Sequence, residues 1–215
     1  SVPARAGDRD DVAKGNTAFA LELYQELAKK DGNLFLSPYS ISAALGMTYA
    51  GARGDTEKEM AKVLHFAEQE KLHAAFAELI KAVNGDEKAR PYQLYTANML
   101  WGQKGYVFLP TFLDITQKHY GAGLAEVDFV RATEEARKTI NAWVEQQTKS
   151  RIKDLLAKGD VVPDTRLVLV NAIYLKAKWA LPFDEKATRP TDFFPVSARP
   201  HKVPMMRQTD RFGYA

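Results

Sequence analysis

The stretch Leu167-Val168-Leu169-Val170-Asn171-Ala172-Ile173-Tyr174-Leu175 decides how this chain is read. It is apolar at nearly every position, which predicts a β-strand covered on both faces and therefore near the middle of a sheet. Asn171 breaks the run, and the whole falls far short of a membrane span. Beyond it, Pro182, Pro190, Pro195, Pro200 and Pro204 punctuate several short extended pieces. Before it, helical spacing dominates. Helices in the first half and strands toward the end read as an α+β fold.

Working back from that strand, Thr133 is expected to cap a helix whose buried stripe is Ala136, Ile140, Trp143 and Val144. Its other faces carry Arg137, Lys138, Glu145, Gln146 and Lys149, so it should lie on a surface. Ala125 to Phe129 alternates as a short strand, and Pro110 starts a helix that stops at Gly121. Tyr92 to Trp101 alternates as a long strand, with Leu94, Thr96, Asn98 and Leu100 on one face and Tyr95, Ala97, Met99 and Trp101 on the other. An amphipathic helix carries Leu72, Phe76, Leu79, Ile80 and Val83 before the Asn84-Gly85-Asp86 turn, and Thr56-x-x-Glu59 has the form of a capping box.

The segment from about Pro38 to Ala50 is apolar on almost every side, so its helix should be buried all round. Ser37-Pro38 reads as an N-cap followed by proline at the first helical position, and Leu34-Phe35-Leu36 before it as a short strand-like run. The first helix is expected from about Val12 to Lys29, behind a solvated leader over residues 1–11. Residues 12–215 then form one unit.

Composition removes several function classes. The chain has 215 residues, 46% hydrophobic and 27% charged, which is ordinary for a globular domain and ample for a core without staples. Lys plus Arg is 30 against 27 for Asp plus Glu, and a net charge of +3 does not mark a nucleic-acid binder. There are no cysteines, which excludes disulfides, thiolate metal sites and cysteine nucleophiles and is compatible with either redox compartment. Ser1 to Arg5 has no apolar segment behind it of the kind a signal peptide carries.

Catalytic constellations are also missing. His65, His73, His119 and His201 form no HExxH pattern, and His65 and His73 read as surface histidines. There is no G-x-S-x-G elbow and no P-loop. Gly121-Ala122-Gly123 follows a helix and has Glu126 where a dinucleotide loop needs glycine, so it reads as a helix stop. Glu134 and Glu135 fall in a first helical turn, where they complement the dipole. Trp101, Trp143 and Trp179 read as core anchors. No metal, cofactor or enzyme activity is expected; an unrelated α+β hydrolase is the competing class, and it lacks a nucleophile and base.

Four stretches together resemble the serpin family of serine protease inhibitors. They are Asn33-Leu34-Phe35-Leu36-Ser37-Pro38-Tyr39-Ser40-Ile41 continuing to Glu59-Met60; Thr96-Ala97-Asn98-Met99-Leu100-Trp101; Ile140-Asn141-Ala142-Trp143-Val144-Glu145 with Ile152 to Leu156; and Leu167 to Lys176 with Trp179 and Phe183 behind it. Alanine stands at Ala177, in a turn where the family usually carries glycine, and a complete serpin domain is nearly twice this length.

The resemblance implies a serpin fold, with helices packed around a large mixed central sheet and the C-terminal half outside this chain. It implies inhibition by suicide: an exposed reactive loop is cut, inserts as a strand into the main sheet and traps the acyl-enzyme. The reactive bond would not be in this chain. Ser37, Ser40 and Asn171 would form the shutter beneath the sheet, and Trp179 would sit at the breach, packed at the top of the sheet where the loop enters. Asn141 and Trp143 would belong to the helix that crosses the sheet face. The implied partners are a serine protease, with cysteine proteases as an extension, and the C-terminal half of the same serpin; neither nucleic acid nor membrane is expected. A non-inhibitory serpin, serving as chaperone or small-ligand carrier, is the alternative. The family's habit implies an extracellular location, with the cytoplasm as the alternative. Residues 1–215 alone are expected not to inhibit a protease, because an apolar strand with an open edge is an aggregation template.

Overall fold

The computed structural model describes residues 6–85, 92–195 and 199–210. Four helices come first: α1 (Ala6–Leu27), α2 (Pro38–Gly51), α3 (Gly54–Leu64) and α4 (Gln69–Asn84). Strand β1 (Gln93–Gln103), helix α5 (Pro110–Tyr120), strand β2 (Gly123–Val127), helix α6 (Thr133–Gln147) and strand β3 (Leu167–Lys176) follow. A single 3-10 turn at Glu185–Ala187 leads to a hairpin of β4 (Arg189–Phe193) and β5 (His201–Met205).

Several local expectations hold for the reasons given. The Ser37 side chain caps α2 by accepting from the Ser40 amide, and Pro38 opens the helix. Pro110 opens α5, and Gly121 ends it at φ +66, a left-handed position that glycine adopts without strain.

Other boundaries differ. Helix α1 begins at Ala6, so residues 6–11, expected in the solvated leader, are its first turns; the acidic Asp8 favours the helix start, and Asp11 reaches Lys14 at 3.8 Å. Residues 1–5 and Asp86 lie outside the described residues. Neither predicted threonine cap forms. Helix α3 starts two residues before Thr56, while Thr133 turns its hydroxyl back to the Phe129 carbonyl. Leu34-Phe35-Leu36 is not a strand: no strand lies beside it among the described residues, and Phe35 is fully exposed. Strand β2 sits two residues earlier than expected. Gln103 Oε1 takes the Phe129 and Val130 amides at 2.7 and 3.2 Å, drawing that end out of the ladder.

The main sheet has the order β2-β1-β3, with β1 parallel to β2 and antiparallel to β3. Its register runs from Gln93↔Lys176 to Gly102↔Leu167 and sets Asn98 opposite Asn171. Because side chains alternate along a strand, each face has its own core. On one face Leu100, Leu167 and Leu169 meet Ala43, Met47, Leu72, Phe76 and Tyr120 of α2, α4 and α5. On the other, Trp101 and Val170 meet Phe129, Ala136, Ile140 and Val144 around α6. Trp143 stacks edge-on against Trp101 at 6.1 Å.

Strand β3, expected near the middle of a complete sheet, has in these residues the open edge expected of residues 1–215 alone. It lies at an edge, paired only with β1 among the described residues, and only Val170 and Ala172 are fully buried. Among the described residues its outer backbone edge has no strand beside it. Nor is α2 covered all round: Thr48 and Gly51 are exposed and border a cavity of about 320 Å³ lined by Phe108, Phe112, Leu167 and Leu169.

Candidate functional site

Where α2 begins beneath the sheet, small polar side chains join three elements. The Ser37 hydroxyl accepts from the Ser40 amide at 3.3 Å. One turn on, the Ser40 hydroxyl donates to Asn171 Oδ1 on β3. Asn171 Nδ2 donates to Asn98 Oδ1 on β1 at 2.6 Å, and Asn98 Nδ2 donates to the Tyr120 carbonyl at the end of α5 at 2.9 Å. The expected trio of Ser37, Ser40 and Asn171 is thus brought together, and Asn98 extends it.

The β1–β3 register builds this site. It places two asparagines directly opposite each other on the face toward α2, where a side-chain amide can donate one way and accept the other. Asn98 is 8% exposed, so its bonds to Asn171 and Tyr120 replace hydration that burial removes. A helix start and two strands thereby share one polar chain of short side chains. Such groups can exchange partners over short displacements, whereas interlocked large apolar side chains resist any slip.

Asn141 does something different on α6. Its Oδ1 accepts the Leu156 amide at 2.8 Å and its Nδ2 donates to the Leu156 carbonyl at 3.0 Å, pinning the segment between α6 and β3. Arg137 donates to the same carbonyl at 2.6 Å while forking onto Glu134. That contact holds the Glu134 carboxyl below the usual carboxylate range. Arg137 and Glu134 were not singled out as a pair from the sequence, although their i,i+3 spacing on a helix is the signal.

Trp179 is not brought to this site. Expected as a packed core anchor, it is 64% exposed and touches Phe183 edge-on at 5.5 Å, beyond the exposed β3 end at Leu175. No sheet neighbour covers it among the described residues.

His73 corrects the reading of a surface histidine. It is 3% exposed, and its Nδ1 lies 2.8 Å from the Tyr120 hydroxyl. Burial, with His119 and Arg53 nearby, holds its imidazole down at about 4. The apolar stripe of α4 passes through this position, with Leu72 and Phe76 flanking it, and that periodicity was the available signal. No described helix is long and apolar enough to cross a membrane.

A three-stranded mixed sheet between a helical layer and helix α6, tied underneath by a serine–asparagine chain, defines an α+β protein of serpin architecture. The family model described as "Serpin (serine protease inhibitor)" matches residues 14–215, and the chain belongs to the serpin family. Leukocyte elastase inhibitor of Bos taurus is 47% identical over 207 residues, covering 95% of this chain and 54% of the relative. The Homo sapiens protein of that name is 44% identical over the same coverage. Among solved structures, emu ovalbumin superposes with a TM-score of 0.84 at 31% identity, covering 91% of this chain and 54% of that one. Cleaved kallistatin complexed with heparin gives 0.85 at 30% identity, covering 92% and 58%. The chain thus spans about half the length of the relatives it matches.

Proposed function

We propose that this chain is the N-terminal portion of a suicide inhibitor of serine proteases, rather than an enzyme, and that its target is of the elastase type. The carrying observation is the polar chain from Ser40 through Asn171 to Asn98, which ties both strands of the β1–β3 pair to the helix beneath them. A sheet that must admit a new strand beside β3 needs a floor that can yield and re-form, and short hydrogen-bonding side chains supply one. The elastase-type target is suggested by the names of the relatives.

In this reading the reactive bond and the remaining strands belong to a C-terminal portion of the same serpin. After cleavage the loop enters beside β3, filling the unpaired edge and releasing energy stored in the uninserted sheet. Ser37, Ser40 and Asn171 tune that transition without touching the protease. Asn141 and Trp143 belong to the helix that must shift to let the strand pass, and the Asn141 clip to Leu156 is what it must carry along. Trp179 stands at the entry point, and its present exposure makes it a reporter: its fluorescence should change when a loop peptide is annealed. Action outside the cell, with the cytoplasm as the alternative, completes the proposal.

The test is to mix the full-length protein with elastase-type and other serine proteases, together with papain-like cysteine proteases, and look for an SDS-resistant covalent complex. A complex with an elastase-type enzyme supports the reading. Cleavage without any complex overturns it in favour of the non-inhibitory alternative.

A further inference from the structure

The sheet has a second open edge, on the side away from β3. Strand β1 is 11 residues long, but β2 pairs only with its last part, from Met99 to Gln103. The chain does not carry that pairing further back. It enters β2 from α5 through Gly121, whose left-handed backbone and amide bond to the Gln117 carbonyl fold it into the helix.

The ladder shows which groups the open part presents. The Gln103 amide donates to the Arg166 carbonyl on the β3 side at 2.8 Å, and the next amide, of Lys104, donates to Val127 on the β2 side. The β1–β3 register runs unbroken from Gly102 back to Gln93. Because hydrogen-bonding direction alternates along an antiparallel strand, Thr96 and Asn98 turn their backbone groups toward the β2 side. No strand stands beside Thr96 there among the described residues.

This stretch of β1 lines a cavity of about 520 Å³. Helix α4 contributes Ile80 and Lys81, α5 contributes Lys118 and His119 from its last turn, and α6 contributes Trp143 and Gln147, one turn apart. The lining thus carries two lysines and no carboxylate among the described residues, with apolar surface from Ile80 and Trp143 between them. Such a field draws anionic groups in and turns cationic ones away. A small anion would satisfy the lysines but not the strand edge. An extended peptide satisfies both: its backbone pairs with Thr96 and Asn98, and its alternate side chains reach the cavity.

We propose that the outer edge of β1 at Thr96 and Asn98, with the cavity beside it, is a docking site where an acidic, extended segment of a partner protein adds as a strand. Backbone pairing gives the site its grip, and Lys81 and Lys118 select for carboxylate side chains. The site lies across β1 from the place beside β3, and it does not depend on the inhibitory reading.

The test titrates isotopically labelled full-length protein with a capped Glu-Val-Glu-Val-Glu peptide. Saturable shifts of the Thr96 and Asn98 backbone amides are expected. The same peptide N-methylated at every amide keeps its charge but cannot pair, and should bind roughly tenfold more weakly, about 1.4 kcal/mol. A Lys-Val-Lys-Val-Lys peptide should lose at least as much. Lys81 and Lys118 are exposed, so the double variant Lys81→Glu, Lys118→Glu should unfold at an unchanged Tm. In it the preference should reverse, with the basic peptide binding and the acidic one excluded. Equal binding of the N-methylated peptide would mean that the lysines attract any polyanion, and overturns the proposal. So does an absence of shifts at Thr96 and Asn98 in the unaltered protein, or an unchanged preference in a folded double variant.

Discussion

Replacing Asn171 with alanine removes two hydrogen bonds at once, the one it accepts from Ser40 and the 2.6 Å bond it donates to Asn98. Each such bond contributes about 1 kcal/mol net. The larger effect falls on the partner: Asn98 is 8% exposed, and its Oδ1 would be left without a donor, at about 1–3 kcal/mol. Ser40 is only half-buried and can turn its hydroxyl elsewhere. The expected loss is therefore roughly 3 kcal/mol. It should be read from the first urea transition of the full-length protein, with Asn98→Ala and the double variant beside it. Because the two asparagines share one bond, the double variant should be less destabilised than the sum by about 1–2 kcal/mol. A loss below about 1 kcal/mol, or additivity within about 0.3 kcal/mol, would refute the claim that β1, β3 and α2 are held through this chain.

Three further outcomes are expected. Gly46→Ala, despite a helix propensity gain of about 1 kcal/mol, should destabilise the protein by forcing Tyr120 off His73, since the new Cβ would stand 2.7 Å from the Tyr120 hydroxyl oxygen; thermal unfolding and the His73 ring resonances report both effects, and a raised Tm would contradict it. His73 has a folded pKa near 4 against 6.5 unfolded. Its neutral form therefore supports the fold fully above pH 6.5, and that support is lost as pH falls from 6.5 toward 4, by up to about 3 kcal/mol; the pH slope of stability over that window should flatten in His73→Phe. Asn141→Ala leaves the Leu156 amide without its acceptor, while the carbonyl keeps Arg137; a cost of about 1 kcal/mol should appear as faster hydrogen exchange at the Leu156 amide, and unchanged exchange would remove Asn141 as the clip.

How legible the molecule was depends on the range of the interaction concerned. The helices and β1 were readable because periodicity, Ser37-Pro38 and Gly121 act within a few residues. Thr56 and Thr133 misled because a capping pattern names a candidate, and neighbouring backbone decides which residue takes the cap position. The apolar run of β3 correctly announced a strand meant for cover, but cover comes from other segments, and here it lies at an edge. Ser37, Ser40 and Asn171 came from resemblance; residue type alone would have left Asn171 an ordinary satisfied polar. Asn98 and His73 were missed for one reason. Their partners, Asn171 and Tyr120, are far away in sequence, and only the β1–β3 register and the α4–α5 packing bring them together.

The central claim, that the sheet is held ready to accept a strand beside β3, is tested most directly by cutting the reactive loop of the full-length protein with a non-target protease. Thermal stability and backbone amide exchange along β3 are then compared before and after the cut. Insertion predicts a rise in Tm and new protection at the β3 amides that point away from β1. An unchanged Tm, with those amides exchanging as fast as before the cut, would contradict it.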